Sequence, residues 1–240
     1  MRRRLPGVTA VLAAAVLALL GGGCATDSDE SDEREDRAAG EPTGEAGEPS
    51  EEAEEPGTTL PGLPTADEAR EQLAALTVAE PRPMTGYSRD RFPHWTSTDG
   101  CTVRGTVLRR DGEDVTVDDD CQPVSGTWHS AYDGEVFTDP GDIDIDHMVP
   151  LANAWRSGAD EWTDEEREAF ANDLDSPQLL AVGARVNREK GDQSPDQWAP
   201  PAEEFACTYA RAWTAVKDSY GLTITAGERD TLGTMLDSCG

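Results

Sequence analysis

An unbroken apolar run, a stretch with almost no apolar residues, and a long region of mixed periodicity follow one another along this chain. The run over residues 8–20 is preceded by Arg2, Arg3 and Arg4 and ends in Gly21-Gly22-Gly23-Cys24, the layout of a secretory signal over residues 1–24. It is too short to span a bilayer comfortably. Residues 25–60 hold 14 acidic residues, two arginines and no aromatic ring. Such a segment cannot bury enough surface to fold, so residues 25–65 read as a self-repelling, disordered tether. Residues 66–76 are amphipathic and predict a lead-in helix, with a linker to residue 84. Apolar and polar positions then alternate over residues 102–108 and 115–117, with Arg110-Asp111-Gly112 between them, which predicts a hairpin. The strictest alternation, Asp142-Ile-Asp-Ile-Asp146, predicts a strand with Asp142, Asp144 and Asp146 on one face, Ile143 and Ile145 on the other, and His147 at its end. Thr163-Asp-Glu-Glu166 is a capping box that opens a helix to about residue 174, stopped by Ser176-Pro177. Two further helices are expected over about 201–220 and 226–238. Strands followed by helices predict an α+β domain over residues 85–240.

Charge changes that picture. The 240 residues carry 20 Lys+Arg against 49 Asp+Glu, a formal charge of −29, with a pI near 4.2 and a mean hydropathy of −0.61. A polyanion is repelled by such a chain unless a local site or bound cations reverse the sign. The tether accounts for −12, yet residues 61–240 still carry −20, so the acidity is not confined to a tail. Of the five cysteines, Cys24 follows small residues at the end of the apolar run, a lipobox-like setting in which it would be acylated. Leu20 stands one place earlier than the usual lipobox leucine, and plain secretion is the alternative. Cys101, Cys121, Cys207 and Cys239 remain in an exported domain, where two disulfides are the expected use. Three connectivities exist; local pairing closes each end of the domain separately and brackets the hairpin, whereas the crossed options link the ends across its middle. A zinc site is the rival use, but neither pair has the close spacing of a zinc knuckle.

Candidate chemistry concentrates at Asp142-Ile-Asp-Ile-Asp-His-Met-Val-Pro150. Carboxylates beside a histidine make a hard-metal site with a base next to it. A calcium loop of EF-hand type also opens Asp-x-Asp-x-Asp, but it requires glycine and glutamate where this chain has His147 and Asn153. His94 and His129 lie in aromatic, turn-rich text and read first as hydrogen-bonded structural residues. The tryptophans from Trp128 onward read as core or rim, with Trp198 close enough to the motif to stack on a base.

Asp144-Ile-Asp-His-Met-Val-Pro150, followed by Asn187-Arg-x-Lys190-x-Asp192, resembles the core of HNH, or ββα-metal, endonucleases, including the HNH domain of RNA-guided nucleases. The segments 87–95, 126–133, 151–158 and 190–198 are similar to a narrower group, exported HNH-family proteins related to the nuclease domain of GmrSD-type modification-dependent restriction enzymes. The likeness covers about residues 85–240. It implies a ββα-metal core, carrying the disulfide-bracketed hairpin before it and additional helices after it. His147 would be the general base that activates water, with Asp146 and Asn187 holding one divalent metal and Asp144 supporting them. Mg2+ is expected before Mn2+ or Ca2+. Lys190 would face a phosphate, with Arg104, Arg185 and Arg188 as further phosphate-binding candidates. The last helix of the unit should start near Asn187 and direct its N-terminal field at the phosphate. Gln178 stands where the family has an asparagine that orients the base histidine. That role falls to its longer amide or to a backbone carbonyl.

The resulting expectation is a metal-dependent endonuclease displayed outside the cell, free or anchored to a membrane through a lipid on Cys24. It would act on DNA before RNA, leave a 5′-phosphate and show no sequence specificity, since no recognition helix or basic stripe stands out. Its acidic domain predicts weak, cation-assisted substrate binding. Two other classes compete: a non-catalytic metal-binding surface lipoprotein, and an interbacterial nuclease toxin with an immunity partner.

Overall fold

The computed structural model describes residues 60–98 and 100–239; the signal segment, Cys24 and nearly all of the acidic tether lie outside them. Helix α1 (Ala66–Ala75) opens at a reciprocal cap in which Thr65 Oγ1 accepts from the Glu68 amide and Glu68 Oε2 accepts from the Thr65 amide. Two of the four orphan amide groups of a helix start are satisfied in this way. Its inward residues Ala69 and Leu73 pack with α6 (Ala206–Ser219) and α7 (Ala226–Leu236). Leu60 joins the same core as Met148, Val182 and Trp213, so close packing reaches back from the expected start near residue 85 to residue 60. The Cys207–Cys239 disulfide ties the first turn of α6 to the end of α7. Thr225 and Glu228 form the capping box that starts α7.

The segment after Cys101 corrects the expected hairpin. A two-residue pair, β1 (Ser97–Thr98) with β2 (Cys101–Thr102), leads into a helix, α2 (Val103–Asp111), where a strand was expected. The Thr102 hydroxyl caps it by accepting from the Gly105 amide at 3.0 Å. Val103, Val107 and Leu108 are all buried, a spacing that suits one helical face and that a short window reads equally well as alternation. Gly105 lets this helix sit on the Cys101–Cys121 turn, because a Cβ there would fall 2.7 Å from the Cys121 carbonyl oxygen. The real hairpin is β3 (Gly112–Val117) with β4 (Pro123–His129), extended by β5 (Val136–Phe137) into an antiparallel sheet in the order β3-β4-β5. Both disulfides thus follow the local pairing.

At the centre, β6 (Ile143–His147) pairs antiparallel with β7 (Leu179–Gly183), with His147 opposite Leu179. Between them run α3 (Leu151–Arg156) and α4 (Asp164–Ala171), the latter opened by the expected Thr163–Glu166 box. Directly after β7 comes α5 (Ala184–Lys190). Alternation buries Ile143, Ile145, Leu179 and Ala181 against Val103, Val107 and Trp128, while Leu180 and Val182 on the opposite face join the main core. Asp142 lies in a single 3-10 turn, Pro140–Asp142, ahead of the strand, so only Asp144 and Asp146 share the polar face. Seven α helices and small antiparallel sheets among the described residues make the domain α+β.

Candidate active site

Two periodicities meet where α5 crosses β6. Asn187 and Lys190 are three apart and share a helix face; Asp144 and Asp146 are two apart and share a strand face. Packing couples them one to one. Asn187 Nδ2 donates to Asp144 Oδ2 at 3.3 Å and Lys190 Nζ to Asp146 Oδ2 at 2.7 Å. Lys190 is wholly buried and also donates to the carbonyls of His147 (2.9 Å) and Met148 (3.1 Å). Its three donors are spent inside the protein, so it faces no phosphate. Helix α5 starts at Ala184 rather than near Asn187, which leaves Asn187 one turn inside the helix, beyond its N-terminal field.

Asp146 Oδ2 accepts a second hydrogen bond, from Tyr132 Oη at 2.6 Å. Its other oxygen, Oδ1, has no hydrogen bond among the described residues. Burial pushes the Asp146 carboxyl above its ordinary range against the opposing pull of Lys190 and Tyr132, and burial likewise pushes the Lys190 ammonium down.

His147 is held by its back edge. Nε2 lies 2.9 Å from the Ala171 carbonyl, which only accepts, so the proton sits on Nε2 and Nδ1 keeps the lone pair. Burial is the main cause that lowers the imidazole to about 3; Arg89, His94 and Lys190 add to it and the Ala171 carbonyl opposes it. The ring is therefore neutral at pH 7, as a base must be. Gln178 plays no direct part in this orientation: its Oε1 accepts from the Val149 amide at 3.1 Å and its Nε2 donates to the Val149 carbonyl at 3.0 Å. Of the two routes open to that role, the backbone carbonyl takes it. Trp95, at a left-handed φ of 63°, sets its ring 5.5 Å from that of His147, and His94 lies at 6.4 Å.

A cleft of about 260 Å3 is lined by Asp146, His147 and Asn187 together with Tyr87, Arg89 and Asp192. Grooves of about 460 and 450 Å3 lie between α1 and α7 and at the start of α7. They are larger, but neither joins a neutral histidine to an unspent carboxylate oxygen, and the smaller cleft is the candidate site. Among the described residues no three His, Cys, Asp or Glu side chains converge as a metal set. What the lining residues can offer a cation is oxygen, Asp146 Oδ1 and the Asn187 amide oxygen, with Asp144 hydrogen-bonded to the Asn187 amide nitrogen. One or two protein oxygens completed by water fit Mg2+ better than a metal that needs a full protein cage.

The other candidates are dispersed. Arg104 donates to the carbonyls of Pro140 (3.0 Å) and Ile143 (2.9 Å) and braces the entry to β6. Arg185 is paired with Asp133, Glu135 and Glu189. Arg188 is exposed, with Asp144 at 3.9 Å. His129 is exposed near Glu113, while Trp198 packs on Tyr132 with ring centroids 5.2 Å apart. Tyr132, Arg89, Trp95 and Ala171 were not singled out from the sequence. The first three lie within the segments 87–95 and 126–133 that carry the resemblance, and that was their only signal.

Sequence comparison adds the class. The chain belongs to the family described as GmrSD restriction endonucleases, C-terminal domain, whose model matches residues 108–235. That span contains Asp146, His147 and Asn187, whereas Arg89 and Trp95 precede it. The chain is also similar to an uncharacterized secreted protein of Arthroderma benhamiae, 51% identical over 185 residues that cover 77% of this chain and 91% of that protein. No solved structure matches.

Proposed function

We propose that this protein is an exported, metal-dependent endonuclease whose β6, β7 and α5 form an HNH-type ββα-metal core, and that it hydrolyses phosphodiester bonds of nucleic acid, DNA before RNA. One observation carries the reading: a neutral histidine with its Nε2 proton tied back, and a carboxylate with one oxygen unspent, line the same cleft. His147 takes the proton of the attacking water on Nδ1 as oxygen adds to phosphorus and the leaving oxygen departs. Asp146 and Asn187 hold one divalent cation, Mg2+ first, and Asp144 steadies the Asn187 amide. When bound, the cation supplies positive charge for the phosphate and the leaving oxygen. Tyr132 and Lys190 keep Asp146 Oδ2 occupied, so that the carboxylate presents Oδ1. Membership of a restriction-endonuclease domain family supports the activity. Two disulfides and the description of the fungal relative as secreted support export, with attachment through Cys24 as the lipid-anchored form.

The test is incubation of the full chain with plasmid DNA, single-stranded DNA and RNA, with Mg2+ or Mn2+ and with EDTA. Cleavage that needs the metal and falls by about 10²–10⁴-fold in His147→Ala is expected. Equal cleavage by the wild type and the variant overturns the reading.

A further inference from the structure

Several arginines of the domain are spent on carboxylates. Arg82 pairs with Asp160 and Glu161, Arg156 with Asp192, and Arg185 with three acids. Arg89 differs from them. It is exposed, it lines the cleft beside Asp146, His147 and Asn187, and it has no ion pair among the described residues. Its hydrogen bond leaves through Nε, which donates to His94 Nε2 at 3.3 Å. His94 Nδ1 lies 2.7 Å from the Phe92 carbonyl, and since a carbonyl only accepts, the His94 proton sits on Nδ1 and Nε2 is free to accept from Arg89. The relay from the Phe92 carbonyl through His94 therefore holds the guanidinium by one corner. The four N–H bonds of its two Nη nitrogens are left unspent among the described residues. A planar cation gripped in this way is suited to a phosphate, which it meets with two parallel hydrogen bonds.

The acid on the same rim does not capture it. Asp192 is held twice by Arg156, from Nη1 to Oδ2 and from Nη2 to the backbone carbonyl, each at 2.8 Å. The need for such a cation is acute in a domain near −20 whose Lys190 is buried and whose Arg104 and Arg185 are engaged elsewhere.

We infer that Arg89 anchors a substrate phosphate in this cleft and that His94 is the positioning residue that aims it. The inference rests on the nuclease reading above. If Arg89 serves only to brace its own loop through His94, the salt dependence of binding will not register its loss.

Binding is measured by fluorescence anisotropy of a labelled DNA duplex with full-length His147→Ala protein, across a sodium chloride series. Adding Arg89→Ala should weaken binding about tenfold and reduce the slope of log affinity against log salt by about 1, the signature of one lost phosphate contact. Arg89→Lys should restore the slope but not the full affinity, because it returns the charge without the fork. His94→Phe keeps a ring against Trp95 and removes the acceptor, and it should weaken binding about threefold with the slope retained. In otherwise wild-type protein, Arg89→Ala should raise KM about tenfold and change kcat by less than about threefold. Equal unfolding midpoints for the parent and Arg89→Ala establish that the loss is local. Unchanged affinity and slope in Arg89→Ala, with the parent binding well, overturn the role of Arg89 and leave the nuclease reading standing. No binding or cleavage of any nucleic acid by the wild-type chain overturns both.

Discussion

Lys190 with Asp146 and Lys217 with Glu228 are built from the same parts, a wholly buried ammonium against a buried carboxylate. Around Lys217 the chemistry is closed. Its Nζ donates to Asn153 Oδ1 (2.7 Å), Ser157 Oγ (2.6 Å) and the Thr223 carbonyl (2.9 Å), and lies 3.4 Å from Glu228 Oε1. Both Glu228 oxygens are used, Oε1 by Asn153 Nδ2 and Oε2 by the Thr225 amide that caps α7. That pair joins α3, α6 and α7. At Asp146 both donors fall on Oδ2, and Oδ1 takes no hydrogen bond among the described residues, in a carboxylate that lines the same cleft as the neutral His147. Burial and charge pairing are common to the two; the oxygen without a hydrogen bond among the described residues is what separates the proposed functional centre from the closed pair.

The largest effects should come from removing each carboxylate's charge. Asp146→Asn and Glu228→Gln each strand a buried ammonium, and each should cost about 3 kcal/mol of stability in urea unfolding. Only Asp146→Asn should also lose cleavage, by at least about 10²-fold. Turnover per folded molecule in Glu228→Gln should match wild type, and a comparable loss there would break the contrast. A smaller effect is expected of Tyr132→Phe, which deletes one of the two donors that occupy Oδ2. Cleavage should fall about tenfold while stability drops by only about 1 kcal/mol, and a fall in stability with activity intact would make Tyr132 structural, like Asn153. The smallest concerns acid. The His147 pKa of about 3 in the fold lies below its ordinary 6.5, so its contribution to stability is full above pH 6.5 and is lost as pH falls through 3. In EDTA, wild-type stability should therefore decline more steeply over that window than that of His147→Ala. Parallel curves would show that the ring takes up its proton without cost.

Local signals in the chain proved readable where the physics is local. The capping box at Thr163 and the alternation around Asp144 depend on groups within four residues of one another. Local closure likewise anticipated both disulfides, whose partners are 20 and 32 residues apart. The strand expected over residues 102–108 failed because valines suit either period in a short window. What decides for a helix is the Thr102 cap and the burial of Val103, Val107 and Leu108 against β6 and β7.

For the candidate site, residue types pointed to Asp142, Asp144, Asp146 and His147, because few patterns set carboxylates on one strand face next to a histidine, and the family resemblance added Asn187, Gln178, Lys190 and three arginines. They could not say which side chains would be consumed. Lys190 meets Asp146 across 44 positions, Gln178 meets Val149 across 29, and His147 meets Ala171 across 24. A hydrogen bond is spent once, and where it is spent depends on which elements pack together. Composition and short-range order therefore set the kinds of atoms available, and long-range packing chose which of them, Asp146 Oδ1, His147 Nδ1 and the Arg89 fork, stayed without a hydrogen bond among the described residues.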